Sequence, residues 1–383
     1  MTSTTLVLGA GVGGIVAAHE LRKRLPRDHR ILLVDRVNEQ SFAPSYLWVL
    51  TGERQPAAIT RKLDKLVRKR IEFIHAGVTR IDLAHSRVET TNGPIEYDHL
   101  VIALGAQLAP NATPGLAEAG ETFYTRDGAV QSRLALDRFA GGKLALLVAG
   151  TPFKCPAAPY EAMLLVESAL RHRGLREKAE LHMYTPEKLP MPVAGPLVGQ
   201  TLKTMLEARG IHYHSEHKAT SVDPKTRRIA FHEKADADYD LLLHVPMHQA
   251  PQVLREAGLL NEAGWIPVDP ATLETKHENT YAIGDNTAIK LASGLALPKA
   301  GVFAHAEAKV IAKNIASKLQ GREPNARFDG HGFCWVETGD ARAAFGRGNF
   351  YATPNPDIHL QPPTRRMHIA KVLFEKYWLW KWY

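Results

Sequence analysis

The sequence predicts an α/β fold in which two related parallel-sheet units are followed by a smaller C-terminal α+β cap. Three observations carry this. The chain opens on a strand, a glycine-rich turn, a helix and a second strand, within Thr5 to Asp35. A second strand and turn begin at Lys143. A strand ending in Gly284-Asp285 then returns late in the chain. With 383 residues the chain has room for two or three cores of roughly 150 residues each. A composition of 45% hydrophobic and 23% charged residues is globular and excludes a disordered or fibrous chain. No apolar run reaches the roughly 18 residues that a membrane-spanning helix needs. Met1 to Thr5 leads straight into Leu6-Val7-Leu8 without a basic and then apolar leader, so no cleaved signal peptide is expected. The net charge of +8 favours anionic partners or an anionic membrane surface.

In the first unit Gly9, Gly11 and Gly14 fit G-x-G-x-x-G between a buried strand and a helix whose apolar rhythm is Ile15, Ala18, Leu21, Leu25. Gly9 permits the tight turn, Gly11 admits a pyrophosphate to the backbone, and Gly14 allows close helix–strand packing. The helix N-terminus adds free N–H groups and partial positive charge. Arg30 to Val34 is a second apolar strand ending in Asp35, an acid placed to bind a ribose hydroxyl. A small antiparallel insertion around Val88 to Tyr97 is marked by the Asn92-Gly93 turn. Tyr97 to Gly105 and Thr280 to Asp285 are strands ending in a glycine turn and in Gly-Asp. They resemble the later signatures of flavoproteins with two dinucleotide domains, whose Gly-Asp carboxylate meets the FAD ribityl chain. The fold class expected is therefore two Rossmann-like dinucleotide-binding domains (FAD/NAD(P)-binding, glutathione-reductase-like) plus the cap.

The second unit starts as expected with Lys143 to Gly150 and then departs. Its turn reads Thr151-Pro-Phe-Lys-Cys155-Pro-Ala-Ala-Pro159-Tyr-Glu161. Prolines 152, 156 and 159 offer no N–H to a phosphate and restrict the backbone that would wrap it. A nicotinamide nucleotide should bind poorly. Cys155 precedes a helix expected from about Ala158 and follows Lys154, two features that favour a thiolate; a small buried apolar residue is the alternative. Cys334 is the only other cysteine. If its segment is a strand, Phe333 and Trp335 point away from it.

These blocks resemble the family of sulfide:quinone oxidoreductases and the flavoprotein subunit of flavocytochrome c sulfide dehydrogenase. Cys155 to Glu161 is similar to the family's Cys-Pro-x-x-x-Tyr-Glu, Phe333-Cys334 to its second redox cysteine, and Leu297 to Gly301 to its Pro-Lys-x-Gly stretch. Ser41 to Ser45 is similar to its Phe-x-Pro loop. The resemblance implies a Cys155–Cys334 redox disulfide that takes sulfur from sulfide as a persulfide, with a sulfane acceptor completing the cycle. Two electrons would pass through FAD to quinone. It implies cofactor contacts from Gly9, Gly11, Gly14, Asp35, Pro44, Val78, Gly105, Gly284, Asp285, Lys299 and Gly301, and a quinone pocket at Phe333, Trp335 and Phe350. Residues 41–46 lack the cysteine that links FAD covalently in the flavocytochrome relatives, so non-covalent FAD is expected. Residues 106–150 lack the third cysteine of many members. No metal site is assigned, and Glu161 and His305 are the candidates for carrying a proton.

The expected organisation is residues 1–105 with 279–320 for FAD, 106–278 for the degenerate second unit, and 321–383 for the cap. The last six residues hold Trp378, Trp380 and Trp382, and the segment leading through them carries Arg365, Arg366, Lys371, Lys376 and Lys381 against the single acid Glu375. This suits a peripheral, monotopic anchor at the membrane surface, against the alternative of a helix docked on the core or on a second subunit of a homo-oligomer. The basic run Arg61 to Arg70 reads as a solvated helix face, and no nucleic-acid module is present. The rival readings are a type II NADH:quinone oxidoreductase, a cytochrome-linked sulfide dehydrogenase and a non-catalytic persulfide sensor.

Overall fold

The computed structural model describes residues 3–383. Strand β1 (Thr4–Leu8) leads through the glycine turn into α1 (Val12–Arg24), followed by β2 (Arg30–Asp35), β3 (Glu72–His75) and β4 (His99–Ile102). A second set comprises β5 (Gly142–Val148), α2 (Ala158–His172), β6 (Ala179–Tyr184), β7 (Ile211–His214) and β8 (Leu241–Val245). The chain then returns with β9 (Thr280–Ala282) and α3 (Gly301–Leu319). The last elements are β10 (His331–Gly339), β11 (Arg342–Asn349), β12 (Asp357–Thr364) and α4 (Arg365–Lys381).

The first sheet runs β9-β4-β1-β2-β3 with every pair parallel. Parallel sheets are covered on both faces and read as unbroken apolar runs; β1 and β4 are buried at every residue. The strand order reverses beside β1, which opens a crevice at the carboxyl ends of β1 and β4. The second sheet, β7-β6-β5-β8, is also all parallel. The antiparallel pair Gln107–Leu108 with His248–Gln249 lies on the two crossings between the sheets. The insertion forms an antiparallel sheet from Val78–Asp82, Arg87–Thr90 and Gly93–Glu96, and Gly93 takes the positive φ of +107° that its turn requires.

One expectation needs correction. The basic run does not form an α-helical face: only Asp64–Lys69 is helical, as a 3₁₀ segment. Its buried side chains, Leu63 and Leu66, are three residues apart, the spacing a 3₁₀ turn aligns, and Arg70 ends it in the left-handed conformation. The C-terminal segment is a helix with one side docked on the core. Thr364 caps α4 by accepting from the Met367 N–H at 3.2 Å, and Lys371, Glu375, Trp378 and Trp382 are buried along one side. Their spacing of four, three and four residues makes a single helix face. Trp378 and Phe374 meet Phe42 at 6.0 Å, and the Trp382 carbonyl accepts from His19 Nε2 at 3.0 Å. The opposite stripe, Ile369, Leu373, Tyr377 and Trp380, is exposed. Among the described residues no helix is long and apolar enough to cross a membrane.

Burial holds several histidines neutral. His19, His99, His244 and His305 are pushed down from 6.5 to about 4, and His248 to about 3. The unfolded chain protonates these rings near 6.5, whereas the folded chain does so only near the lower values. Stability conferred above 6.5 is therefore lost as pH falls toward 4. Glu307, pushed up to about 7 by burial, works in the opposite sense between 4.5 and 7. With His214, also pushed down to about 4, six histidines stand against two acids, Glu307 and Glu187 (raised to about 6), so the thermal unfolding midpoint should rise from pH 4 to 6.5; a flat profile would contradict this reading.

Candidate active site

At the crevice the three glycines have different duties. Gly9 has φ +96°, and a Cβ there would lie 2.4 Å from the Ala103 carbonyl oxygen. A Cβ on Gly14 would lie 1.8 Å from the Gly9 carbonyl oxygen. Both are packing constraints. A Cβ on Gly11 would meet nothing within 4 Å, so this glycine faces open space at the N-terminus of α1, where the first turn holds no acid and no side-chain cap. A dinucleotide pyrophosphate fits there on charge and on room. Asp35 is partly used by the protein: its Oδ2 accepts from the Ala10 N–H at 2.7 Å and its Oδ1 from Val37 at 3.0 Å. The carboxylate therefore shapes the turn as well as offering its remaining lone pairs to a ribose.

The later signatures converge on the same place. The Gly105 N–H donates to Asn286 Oδ1 at 3.1 Å, and the Gly284 N–H donates to Glu307 Oε2 at 2.6 Å. Burial raises the Asp285 carboxyl, against the pull of Lys154 and Lys299. Lys299 is no solvated surface lysine. Its Nζ donates to the carbonyls of Asp285 (2.8 Å) and Thr287 (3.1 Å) and lies 3.3 Å from the Trp265 ring centre; burial lowers it to about 8. A Cβ on Gly301 would touch Val12 at 3.4 Å, which sets the N-termini of α1 and α3 side by side. Pro44 lies in a short 3₁₀ turn next to Ser45, whose Oγ donates to Glu375 Oε2 at 2.8 Å. Val78 opens the small antiparallel sheet instead.

The turn that would cradle a second nucleotide is occupied by the protein itself. The Cys155 N–H donates to the Lys299 carbonyl at 2.7 Å, and the His248 N–H to that of Pro152 at 3.0 Å. Cys155 adopts φ +51°, three residues before α2. Cys334 lies in β10 opposite Gly346, and both cysteines are free thiols. They share one electrostatic environment. Burial pushes the Cys155 thiol up to about 12, with Glu161 adding to the rise and Lys371 opposing it. Cys334 is raised further by burial, by Cys155 and by Glu161, with Lys371 again opposing. The activated thiolate expected from Lys154 and the helix start is thus not found: desolvation wins, and Lys154 acts on Asp285 and His248 instead.

The sequence reading missed the cation whose charge opposes the rise of both thiols. Lys371 of α4 is ion-paired with Glu161 of α2, lies 4.0 Å from Glu337 of β10 and sits 4.8 Å from the Trp48 ring centre. His368 Nδ1 meets Glu337 at 2.9 Å. The only signal was one lysine among many in a tail read as an anchor, 210 residues from its partner. Tyr124 was also missed; its hydroxyl donates to the Cys155 carbonyl at 3.3 Å. His305 packs against Trp378 and Trp382 at 5.5 and 5.6 Å and takes a structural place. Phe333 and Trp335 share a cluster with Phe345 and Phe374. Phe350 does not join them: it packs on Phe303 at 5.0 Å.

This crevice between two nucleotide-type sheets, with two buried thiols beside it, defines a flavoprotein of the disulfide-oxidoreductase class. Comparison agrees: residues 3–306 match the family model "Pyridine nucleotide-disulphide oxidoreductase", and the chain belongs to that family as a flavin-dependent oxidoreductase. It is similar to the mitochondrial sulfide:quinone oxidoreductase of Mus musculus, 25% identical over 91% of this chain and 78% of the relative. It is likewise 26% identical to the sulfide-quinone reductase of Aquifex aeolicus, over 100% and 91% respectively. The crystal structure of the Aquifex aeolicus sulfide:quinone oxidoreductase superposes with a TM-score of 0.92 at 25% identity, covering 100% of this chain and 91% of that one.

Two substitutions separate these duties. Gly11→Ala should leave the unfolding midpoint unchanged while weakening FAD retention on gel filtration, whereas Gly14→Ala should destabilise the apoprotein itself. Glu161→Gln removes the acid that raises both thiols. Alkylation by iodoacetamide at pH 8 should then accelerate about tenfold for each unit that the thiol pKa falls, and an unchanged rate would contradict the assignment.

Proposed function

We propose that this protein oxidises sulfide through a Cys155–Cys334 disulfide and passes two electrons through FAD to a quinone. The observation that carries the reading is that Cys334 packs in one cluster with Ala157, two residues from Cys155, and feels the Cys155 charge, beside the crevice that fits a dinucleotide. The names of the relatives add the substrate and the acceptor. Hydrosulfide attacks one sulfur of the bridge, which leaves a persulfide there and a thiolate on the partner. A thiol or sulfide acceptor then removes the sulfane sulfur, leaving two thiolates. Re-forming the bridge releases two electrons, for which FAD when bound supplies the route to quinone. Lys371 offsets the thiolate charges, and Glu161 holds Lys371 in place.

The binding set proposed for FAD is the one described above, on residues 1–105 and 279–320, with no covalent link at residues 41–46. Residues 106–278 carry Cys155 and residues 321–383 carry Cys334. A nicotinamide nucleotide is disfavoured because the Cys155 N–H of its turn is spent on the Lys299 carbonyl and prolines 152, 156 and 159 have no N–H to offer. The Phe333–Trp335–Phe374 cluster is the proposed quinone contact, since its apolar rings lie on β10 opposite the face that carries Cys334. The exposed stripe of α4 is proposed to rest at the membrane surface.

In the FAD-loaded protein, sulfide should bleach the flavin's visible band and a soluble quinone should restore it. Cys155→Ser and Cys334→Ser should each abolish the bleaching with FAD still bound. Full sulfide-driven bleaching in either variant, or bleaching by NADH in place of sulfide, would overturn the proposal.

A further inference from the structure

Beside α4 lies a surface cavity of about 760 Å³ whose wall the redox chemistry does not use. Arg61 and Lys65 line it from the basic segment, Lys376 and Trp380 from the helix, and Tyr383 from just past its end. Glu375 is the one acid in the wall and is already paired with Arg54 at 3.0 Å. The Arg61 guanidinium is steadied by the carbonyls of Ala58 (3.1 Å) and Thr60 (2.8 Å). Between Arg61 and Arg70 the chain carries six basic residues against the single Asp64. The cavity therefore has a surplus of positive charge and an aromatic wall.

Its position relative to the apolar stripe gives the second half of the argument. Trp380, 76% exposed, lines the cavity and also ends the stripe of Ile369 (55%), Leu373 (59%) and Tyr377 (47%). Val67, on the basic segment, is 66% exposed. Contiguous apolar side chains left in water beside uncompensated cations complement an amphiphile with an anionic head and an apolar body. A free phosphate would match the cations and leave the stripe uncovered; an apolar partner would match the stripe and leave the cations unmatched.

We propose that this cavity binds the headgroup of an anionic phospholipid, with the phosphate among Arg61, Lys65 and Lys376 and the acyl chains along Trp380 and the stripe. The inference rests on the surface attachment proposed above and makes it selective. It also gives the basic segment a role that a solvated face lacks.

The test is cosedimentation of the FAD-loaded full chain with phosphatidylcholine vesicles, with and without phosphatidylglycerol. The wild type should bind the phosphatidylglycerol vesicles more tightly. A basic residue near an anionic surface is worth about fivefold in binding, so the Lys65→Gln/Lys376→Gln double variant should lose roughly 25-fold or more of that preference. Its binding to phosphatidylcholine alone should be unchanged. Arg68→Gln/Lys69→Gln, on the same segment and outside the cavity wall, should lose less. Equal losses in the two double variants would overturn a defined site in favour of diffuse attraction. Equal binding of the wild type to both vesicles would overturn the headgroup site and leave surface attachment standing, and binding to neither would overturn both. Flavin reoxidation by a soluble quinone should be unchanged in the cavity variant; its loss would reassign the cavity to the quinone.

Discussion

The site depends on one buried ion pair, Lys371 with Glu161. It joins the last helix of the chain to the helix that follows Cys155, and Glu337 and His368 extend it across β10. Removing two charges from water is costly, and their mutual attraction offsets that cost only when the geometry is good and the remaining groups are satisfied. Here both carboxylates raise Lys371 and keep it charged. Its charge opposes the burial that raises both thiols, without overcoming it. An apolar pair of the same volume would pack as well and leave the sulfur chemistry without a cation.

The cap gains its purpose from this arrangement. A three-stranded antiparallel sheet brings Cys334 to the second unit, and α4 closes over it with one face on the core. The face turned inward carries the charge that the thiols need, and the face turned outward is apolar and unmatched. One helix thus carries a buried ion pair on its inner side and, on its outer side, the exposed stripe proposed to face lipid. The second nucleotide unit keeps its four parallel strands, and its first turn has become a platform for Cys155 in place of a phosphate cradle.

Local patterns were legible where one residue type serves one backbone demand. Gly9, Gly14 and Gly93 occupy positions that a side chain would obstruct or that need positive φ, and such demands are written into a few consecutive residues. The continuous apolar runs of β1 and β4 were legible for the same reason. Cys155, by contrast, has a local context of Lys154 and a helix start that points to an activated thiolate. The folded environment reverses this, because desolvation and Glu161 outweigh both. Lys299 and Phe350 were each placed by partners far away in the chain, Trp265 and Phe303.

The sequence by itself determined the two parallel-sheet units, the glycine turn, the missing second phosphate cradle and the pair of cysteines, because short-range sterics and hydrogen-bond supply dictate these. Only the tertiary structure decided that the cysteines share one field, that Lys371 stands between two acids, and which face of α4 meets water. Electrostatic influence and burial depend on distances between residues some two hundred positions apart, and no local spacing encodes them.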